Sequence, residues 1–336
     1  MLNEKSVLIT GGTGSFGKRF VSTVLERYRT KKLIIYSRDE LKQYEMSQVW
    51  PADADQKIRY FVGDVRDLPR LSMAMKGVDV VIHAAALKQV PTAEYNPFEV
   101  VKTNILGSQN VIEASLAANV ARVIALSTDK AAAPVNLYGA TKLTADKLFI
   151  AANNYSGDHK TTFSVVRYGN VMGSRGSVIP LFLSRKDHGV LPITDERMTR
   201  FNITLQEGVD FVLKALERMW GGELFVPRSP SYRIMDVAKA IAPDCDTEIV
   251  GIRPGEKLHE EMITTMDAIN TATFDDCYVV MPESQYINFD KHKYVSEAAA
   301  TPGKMCEDGF SYNSLMNDHF LTVQELRFLL SRELAI

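Results

Sequence analysis

Residues 6–17 read SVLITGGTGSFG, and this stretch decides the fold. Val7–Thr10 is an apolar run with the character of a buried strand, and glycines at 11, 14 and 17 follow at once. Such glycines permit a tight turn, close approach of the backbone to a pyrophosphate, and tight packing of a helix on the strand. The helix N-terminus then offers free N–H groups to an anion. A glycine pattern alone is weak evidence. Lying between a strand and a helix, this one reads as a dinucleotide-binding turn made by Gly11, Thr13, Gly14, Ser15, Phe16 and Gly17. The plainer reading is a glycine-rich turn that holds no ligand.

The pattern continues outward from that loop. Short apolar runs at Leu33–Tyr36, Arg59–Val62, Val78–His83, Val123–Leu126 and Phe163–Arg167 alternate with amphipathic segments near 17–28, 40–49, 68–75, 96–118 and 138–154. Alternating strands and helices predict an α/β protein with a Rossmann-type, doubly wound parallel sheet. From about Gly169 the pattern loosens into glycine- and proline-punctuated loops. A long helix over Leu205–Met219 follows, then short strands at Glu223–Val226 and Thr247–Gly251, and a terminal helix over Thr322–Leu334 with Thr322 as its N-cap. We therefore expect residues 1–170 and 201–222 in the sheet domain, with 171–200 and 223–336 in a smaller, interleaved substrate-binding lobe.

Composition bounds the function. The chain has 336 residues, 39 Lys and Arg against 41 Asp and Glu, and a net charge of −2, so no long-range field recruits nucleic acid or an anionic membrane. No apolar run reaches the roughly 18 residues of a membrane span, and the N-terminus reads as a strand, not a signal peptide. Cys245, Cys277 and Cys306 are scattered and form no CxxC pair, which predicts a protein of the reducing cytoplasm. No metal is expected. His259 opens HEEMI, which lacks the second histidine of a zincin.

The choice between NAD and NADP is read at the end of the second strand. Ser37 and Arg38 stand where an NAD enzyme usually carries an acid, and Lys42 follows one helical turn later. A hydroxyl and two cations suit a 2′-phosphate and predict NADP, whereas Asp39 could instead reach a ribose. Asp64 and Val65 close the third strand, where an aspartate can accept from the adenine amine or merely form a turn. Ala84 and Ala86 offer small side chains beside a flat ring or a pyrophosphate, although alanines also fill cores. Lys88 can reach a cofactor phosphate or the substrate, and Asn104 can brace the site through its amide.

Residues 127–142, STDKAAAPVNLYGATK, carry the chemistry. Tyr138 and Lys142 are four apart on a helical segment, so they share one face. A nearby cation favours phenolate, which makes such a pair a general base near neutral pH. Asp129 and Lys130 lie side by side where a parallel strand ends, the position at which doubly wound sheets place their ligands. The plainer readings are a capping aspartate and a surface lysine.

With TGGTGSFG, HAAA and YxxxK in order, the chain resembles the extended short-chain dehydrogenase/reductase family over its full length. The resemblance implies that Tyr138 moves a proton at a sugar hydroxyl, that Lys142 holds the nicotinamide ribose and lowers the tyrosine pKa, and that Thr128, with Ser127 beside it, orients the hydroxyl. Within the family, STDKAAAPVNLYGATK, SRDELKQ, RYGNVMGSRGSVIP, ITDERMTRF and IRPGEKLHE look like the branch of C-5-inverting UDP-N-acetylglucosamine 4,6-dehydratases of pseudaminic acid synthesis. Related capsule enzymes carry Met where Tyr138 stands, and larger membrane-anchored dehydratases have N-terminal spans not seen here.

That resemblance implies oxidation at C-4, removal of the C-5 proton by Lys130, protonation of the leaving 6-hydroxyl by Asp129, and return of hydride at C-6 from recycled NADP. Lys130 can act as that base only if burial or a cation lowers its pKa. It further implies that Asn170 contacts the diphosphate, that Arg200, Arg253 and Glu256 clamp the uridine diphosphate, that a loop around 174–177 closes over the sugar, and that the protein is a homo-oligomer. A UDP-sugar 4-epimerase and a non-catalytic NADP-sensing protein are the alternatives; the first has no use for Asp129 and Lys130, and the second none for Tyr138 and Lys142.

Overall fold

The computed structural model describes residues 1–52, 57–157, 160–174, 176–283 and 287–334. Six parallel strands form its centre: β1 (Ser6–Thr10), β2 (Lys32–Ser37), β3 (Ile58–Val62), β4 (Val80–His83), β5 (Arg122–Thr128) and β6 (Thr162–Tyr168). Their spatial order, β3-β2-β1-β4-β5-β6, reverses direction between β1 and β4, the crevice where doubly wound sheets bind ligands. Every residue of β1 is buried, as expected of a strand covered by helices on both faces. The helix α1 (Ser15–Arg27) and the helix Leu205–Arg218 pack against each other on one face. The second of these begins with a capping box, in which Thr204 Oγ1 accepts from Glu207 N and the Glu207 carboxylate accepts from Thr204 N; a cap of this kind contributes about 1 kcal/mol.

The sheet is larger than the sequence pattern suggests. Among the described residues it has ten strands, because Leu224–Pro227 pairs parallel with β6, and Cys277–Val280, Thr271–Thr273 and Lys304–Met305 add antiparallel beyond it. The expected boundary at residue 223 is therefore redrawn: these stretches belong to the sheet, since Leu224–Pro227 is buried along its length and needs cover on both faces. The lobe's own core joins Met172, Ile179, Phe182, Leu191, Ile193, Tyr232, Val237, Leu326 and Leu330 from separate parts of the chain. The terminal helix Val323–Leu334 docks there, with Thr322 and Glu325 bonded reciprocally at its start.

The expected helix over 96–118 is interrupted. Pro97–Val101 runs into one π-helical turn, Lys102–Leu106, before Gly107–Ala117 resumes the α-helix. Ser108 Oγ donates to Asn104 O at 2.6 Å, which turns that carbonyl aside. The widened turn aims the Asn104 amide at the loop after β4, where it donates to Leu87 O at 2.9 Å and accepts from Leu87 N at 2.8 Å. The same amide donates to Thr141 Oγ1 at 3.0 Å, so Asn104 ties the loop after β4 to the segment that carries Tyr138 and Lys142.

Candidate active site

Thr10 and His83 close the switch point. Thr10 Oγ1 lies 2.8 Å from His83 Nδ1 and accepts from the backbone N–H groups of Ala84 and Ala85. Burial, reinforced by Lys142, holds the His83 imidazole neutral by lowering its pKa to about 3. The glycine loop then shapes a cradle. Gly11 has φ +66°, and a Cβ there would lie 2.9 Å from Ala85 Cα; a Cβ on Gly17 would lie 2.3 Å from Gly12 O. No side chain caps the N-terminus of α1, so its first N–H groups face the cradle uncapped. These features fit a dinucleotide pyrophosphate.

At the end of β2, Ser37 is buried and its oxygen accepts from Gln43 Nε2 at 3.1 Å. Asp39 is occupied as the N-cap of the helix Glu40–Val49 and as the ion-pair partner of Lys42. Lys42 is thus neutralised locally, and Arg38 is left as the half-exposed cation, 3.5 Å from Asp64. The Asp64 carboxylate also accepts from Arg66 N and Nη2, at 3.0 and 2.7 Å. Partial burial alone would raise its pKa, yet the Arg66 hydrogen bonds and the Arg38 charge hold it below the usual range. In this arrangement Asp64 is a turn residue committed to arginines.

The chemistry-bearing stretch folds as a strand end, one 3₁₀ turn (Asp129–Ala131) and a helix (Leu137–Ala151) capped by Asn136, which accepts from Gly139 N at 2.8 Å. Glycine at 139 is a steric requirement: a Cβ there would lie 2.1 Å from Lys130 O. The helix can therefore press directly on the turn. Asp129 is fully buried and accepts at Oδ1 from Thr128 Oγ1 (2.9 Å) and from Lys130 Nζ (3.0 Å), while its Oδ2 has no partner. Burial pushes the Asp129 pKa up and the nearby Glu260 carboxylate adds to this, against the opposing Lys130 charge.

Lys130 departs from expectation. Burial would lower its pKa, but Asp129 and Glu260, at 3.0 and 3.2 Å, outweigh it and hold the ammonium charged. Tyr138 departs as well. Burial raises its pKa to about 12; the cation acting against this is Lys130, supported by the Thr128 hydroxyl, and not Lys142. Lys142 Nζ donates to Leu126 O at 2.7 Å, and burial lowers its pKa. Below it, Asp146 accepts from Ser127 Oγ at 2.8 Å and pairs with Arg167 at 3.1 Å. Removing one partner of a buried pair of this kind costs about 3–5 kcal/mol.

The residues expected to hold a nucleotide sugar divide. Asn170 comes to the site, its Oδ1 3.5 Å from Lys130 Nζ. Lys88 lies near enough for the Lys130 charge to depress its pKa, burial being the larger cause. Arg200 directs its guanidinium to backbone oxygens of Thr199, Lys257 and Leu258, so it splints the substrate lobe instead of forking toward solvent. Arg253 and Glu256 stand 4.0 Å apart on a partly exposed turn. That turn is stitched to the catalytic loop, since Lys257 Nζ donates to Ala132 O at 2.6 Å and Asn136 Nδ2 donates to Gly255 O at 2.7 Å. In the loop expected to close over the sugar, Arg175 lies outside the described residues. Among the described residues, no group of three or more His, Cys, Asp or Glu side chains could hold a metal.

Sequence reasoning missed Glu260, Asp146 and Lys257. Glu260 is 2% exposed, yet in the sequence it is only one acid of HEEMI, and nothing local indicates that it meets Lys130.

The fold and this site define a protein of the extended short-chain dehydrogenase/reductase class. The chain belongs to the polysaccharide biosynthesis protein family, which matches residues 7–282. It is 55% identical over 328 residues to a UDP-N-acetylglucosamine 4,6-dehydratase (inverting) of Campylobacter jejuni, covering 97% of each chain. It is also 40% identical over 338 residues to a UDP-glucose 4-epimerase of Rickettsia bellii, covering 98% of this chain and 96% of the relative. The crystal structure of Pen from Bacillus thuringiensis superposes over the whole of both chains with a TM-score of 0.88 at 36% identity.

Proposed function

We propose that the chain is a UDP-N-acetylglucosamine 4,6-dehydratase that inverts C-5, yielding a UDP-2-acetamido-2,6-dideoxy-L-hexos-4-ulose on the way to pseudaminic acid. The observation that carries this reading is the pairing of buried Asp129 with partly buried Lys130, 3.0 Å apart beside Tyr138. Hydride transfer at C-4 has no use for a second acid and base. Elimination across C-5 and C-6 requires both. The full-length similarity to the Campylobacter dehydratase supports the same substrate.

Bound NADP supplies the acceptor and later the donor of one hydride. Gly11, Thr13, Gly14, Ser15, Phe16 and Gly17 would hold its pyrophosphate, Ala84, Ala86 and Val65 would flank it, Ser37 and Arg38 would meet the 2′-phosphate, and Lys142 would hold the nicotinamide ribose. Thr128 orients the C-4 hydroxyl and Tyr138 takes its proton, helped by the Lys130 charge that opposes the tyrosine's burial. The resulting 4-ketone acidifies C-5. Lys130, once deprotonated, takes the C-5 proton, and the electron pair of that C–H bond forms C-5=C-6. The C-6–O bond breaks as Asp129, in the protonated form that burial favours, donates the proton with which water leaves. Lys88 and Asn170 hold the diphosphate, and Arg253 and Glu256 the uridine ribose, while Arg200 supports that turn.

The second reading, a 4-epimerase, is favoured by the name of the Rickettsia relative. Epimerisation leaves C-5 and C-6 untouched, so one experiment separates the two. Incubation with UDP-N-acetylglucosamine in heavy water should give a 4-keto-6-deoxy sugar with deuterium at C-5 and the L configuration by NMR. A 4-epimer without solvent label would sink the dehydratase reading.

We place the protein in the cytoplasm; among the described residues no helix is long and apolar enough to cross a membrane. Exposed Phe98 and Leu106 on the interrupted helix, with exposed Tyr95 at the end of the short helix before it, support a homo-oligomer.

A further inference from the structure

A base mechanism needs Lys130 without its proton, whereas the structure surrounds it with carboxylates. The site must therefore contain somewhere for that proton to go. Glu260 Oε1 is 3.2 Å from Lys130 Nζ, and the side chain is almost wholly buried. Its backbone N–H is fixed by Ser314 Oγ at 2.9 Å, at the start of a short antiparallel pairing of Glu261–Ile263 with Tyr312–Asn313. Its second oxygen, Oε2, is buried without a hydrogen-bond partner. A buried carboxylate with one unpartnered oxygen is incompletely satisfied as an anion, so protonation costs it less than it would cost a carboxylate bonded at both oxygens.

We infer that Glu260 is a positioning residue that acts through Lys130, holding its ammonium in place and receiving the proton that Lys130 releases before it attacks C-5. The inference rests on the dehydratase reading above. In the step itself, the N–H bond of Lys130 breaks, an O–H bond forms on Glu260, and the freed nitrogen lone pair takes the C-5 proton. The total proton count of the pair is unchanged by the first transfer, so no exchange with solvent is needed.

Other charges set the balance. Lys130 faces Asp129, Arg200 and Lys88, with the phenols of Tyr138 and Tyr232 nearby. Glu260 faces Lys130, Arg200 and Lys257, and although burial pushes its pKa up, these three cations keep it ionised in the resting protein. Arg200 Nε, at 3.8 Å from Oε1, is placed to keep Glu260 from leaving when Lys130 becomes neutral. Asp129 has the task of the acid, since burial raises its pKa whereas the cations around Glu260 lower that of Glu260.

The test is the pH dependence of dehydration by Glu260→Gln. A glutamine keeps the shape but cannot take the proton, so Lys130 must discharge to solvent. We expect kcat at pH 7 to fall at least about 100-fold, and log kcat to rise with a slope near one between about pH 6.5 and 8.5, where the parent is nearly flat. Glu260→Asp should recover at least about tenfold and flatten the profile. A uniform loss at every pH would show a merely structural role and overturn the inference, as would an unchanged kcat. Should the glutamine variant not fold, Glu260→Ala takes its place: a profile steeper than the parent's supports the inference and a parental one removes it. The parent's product in heavy water is measured alongside. If the parent itself makes no 4-keto-6-deoxy sugar, the dehydratase reading has failed, which is distinct from the failure of Glu260.

Discussion

Lys257 Nζ donates to Ala132 O across 2.6 Å, joining the turn that carries Arg253 and Glu256 to the loop between Lys130 and Tyr138. Asn136 Nδ2, bonded to Gly255 O, makes a second stitch from the residue that caps the catalytic helix. The segments proposed above to grip the nucleotide and to carry the acid–base chemistry are thus tied together by two hydrogen bonds. A hydrogen bond from a charged donor contributes about 1.5–3 kcal/mol. Lys257→Met is expected to raise KM for the nucleotide sugar and lower kcat together, each by roughly 3–30-fold, with cofactor affinity unchanged. Steady-state kinetics with a cofactor titration checks this; a change confined to KM would mean that the two loops are not coupled.

The glycine loop makes a sharper prediction. Gly17→Ala places a methyl 2.3 Å from Gly12 O, a distance no Cβ tolerates, so α1 must move off β1. Cofactor binding should be lost at concentrations that saturate the parent, as read by NADPH fluorescence.

Arg38 is the cation proposed above for the 2′-phosphate of NADP: it is half-exposed and only loosely paired with Asp64 at 3.5 Å, whereas Lys42 is closely paired with Asp39. Arg38→Ala should lower the NADP:NAD affinity ratio by roughly 10–100-fold, the value of one charge-assisted contact. An unchanged ratio in competition titrations would remove Arg38 from cofactor choice.

His83 ties stability to pH. Its folded pKa is about 3, below the roughly 6.5 of an unfolded histidine, so the unfolded chain binds the extra proton. Stability from this group is present above pH 6.5 and is lost as pH falls towards 3, about 2 kcal/mol of it by pH 5. Urea unfolding at pH 7 and 5 should show this slope, and His83→Gln should flatten it.

Lys130→Met exposes the opposite dependence. It leaves Asp129 and Glu260 buried without their shared cation, and their folded pKa values should rise above those of the unfolded chain. Groups with raised folded values favour the fold at low pH. The variant's loss in Tm relative to the parent should therefore be largest near pH 8 and shrink towards pH 5. Dehydration should vanish while NADP binding stays close to the parent's.

Much of this protein was legible along the chain. Periodicity, with glycines at 11, 14 and 17, determined the sheet, its helices and the dinucleotide loop, because strand and helix faces and tight turns depend on residues close in sequence. The YxxxK spacing put Tyr138 and Lys142 on one helix, and the end of β5 put Asp129 and Lys130 beside them. The antiparallel strands Thr271–Thr273, Cys277–Val280 and Lys304–Met305 were not assigned to the sheet, since short apolar runs do not say what they pair with.

Protonation was decided by the tertiary structure alone. Lys130 is held charged by its neighbour Asp129 together with Glu260, met across 130 residues of chain, and Tyr138 has a raised pKa because of burial; neither the Glu260 contact nor the burial is recorded in a motif. A pKa is set by the charges within a few ångströms and by the water excluded around them, and both are properties of the packed molecule. The same holds for Arg200, an apparent phosphate fork in RMTRF that folding turns onto backbone carbonyls, and for Lys257, an ordinary basic residue of RPGEK that folding turns into a tie between loops.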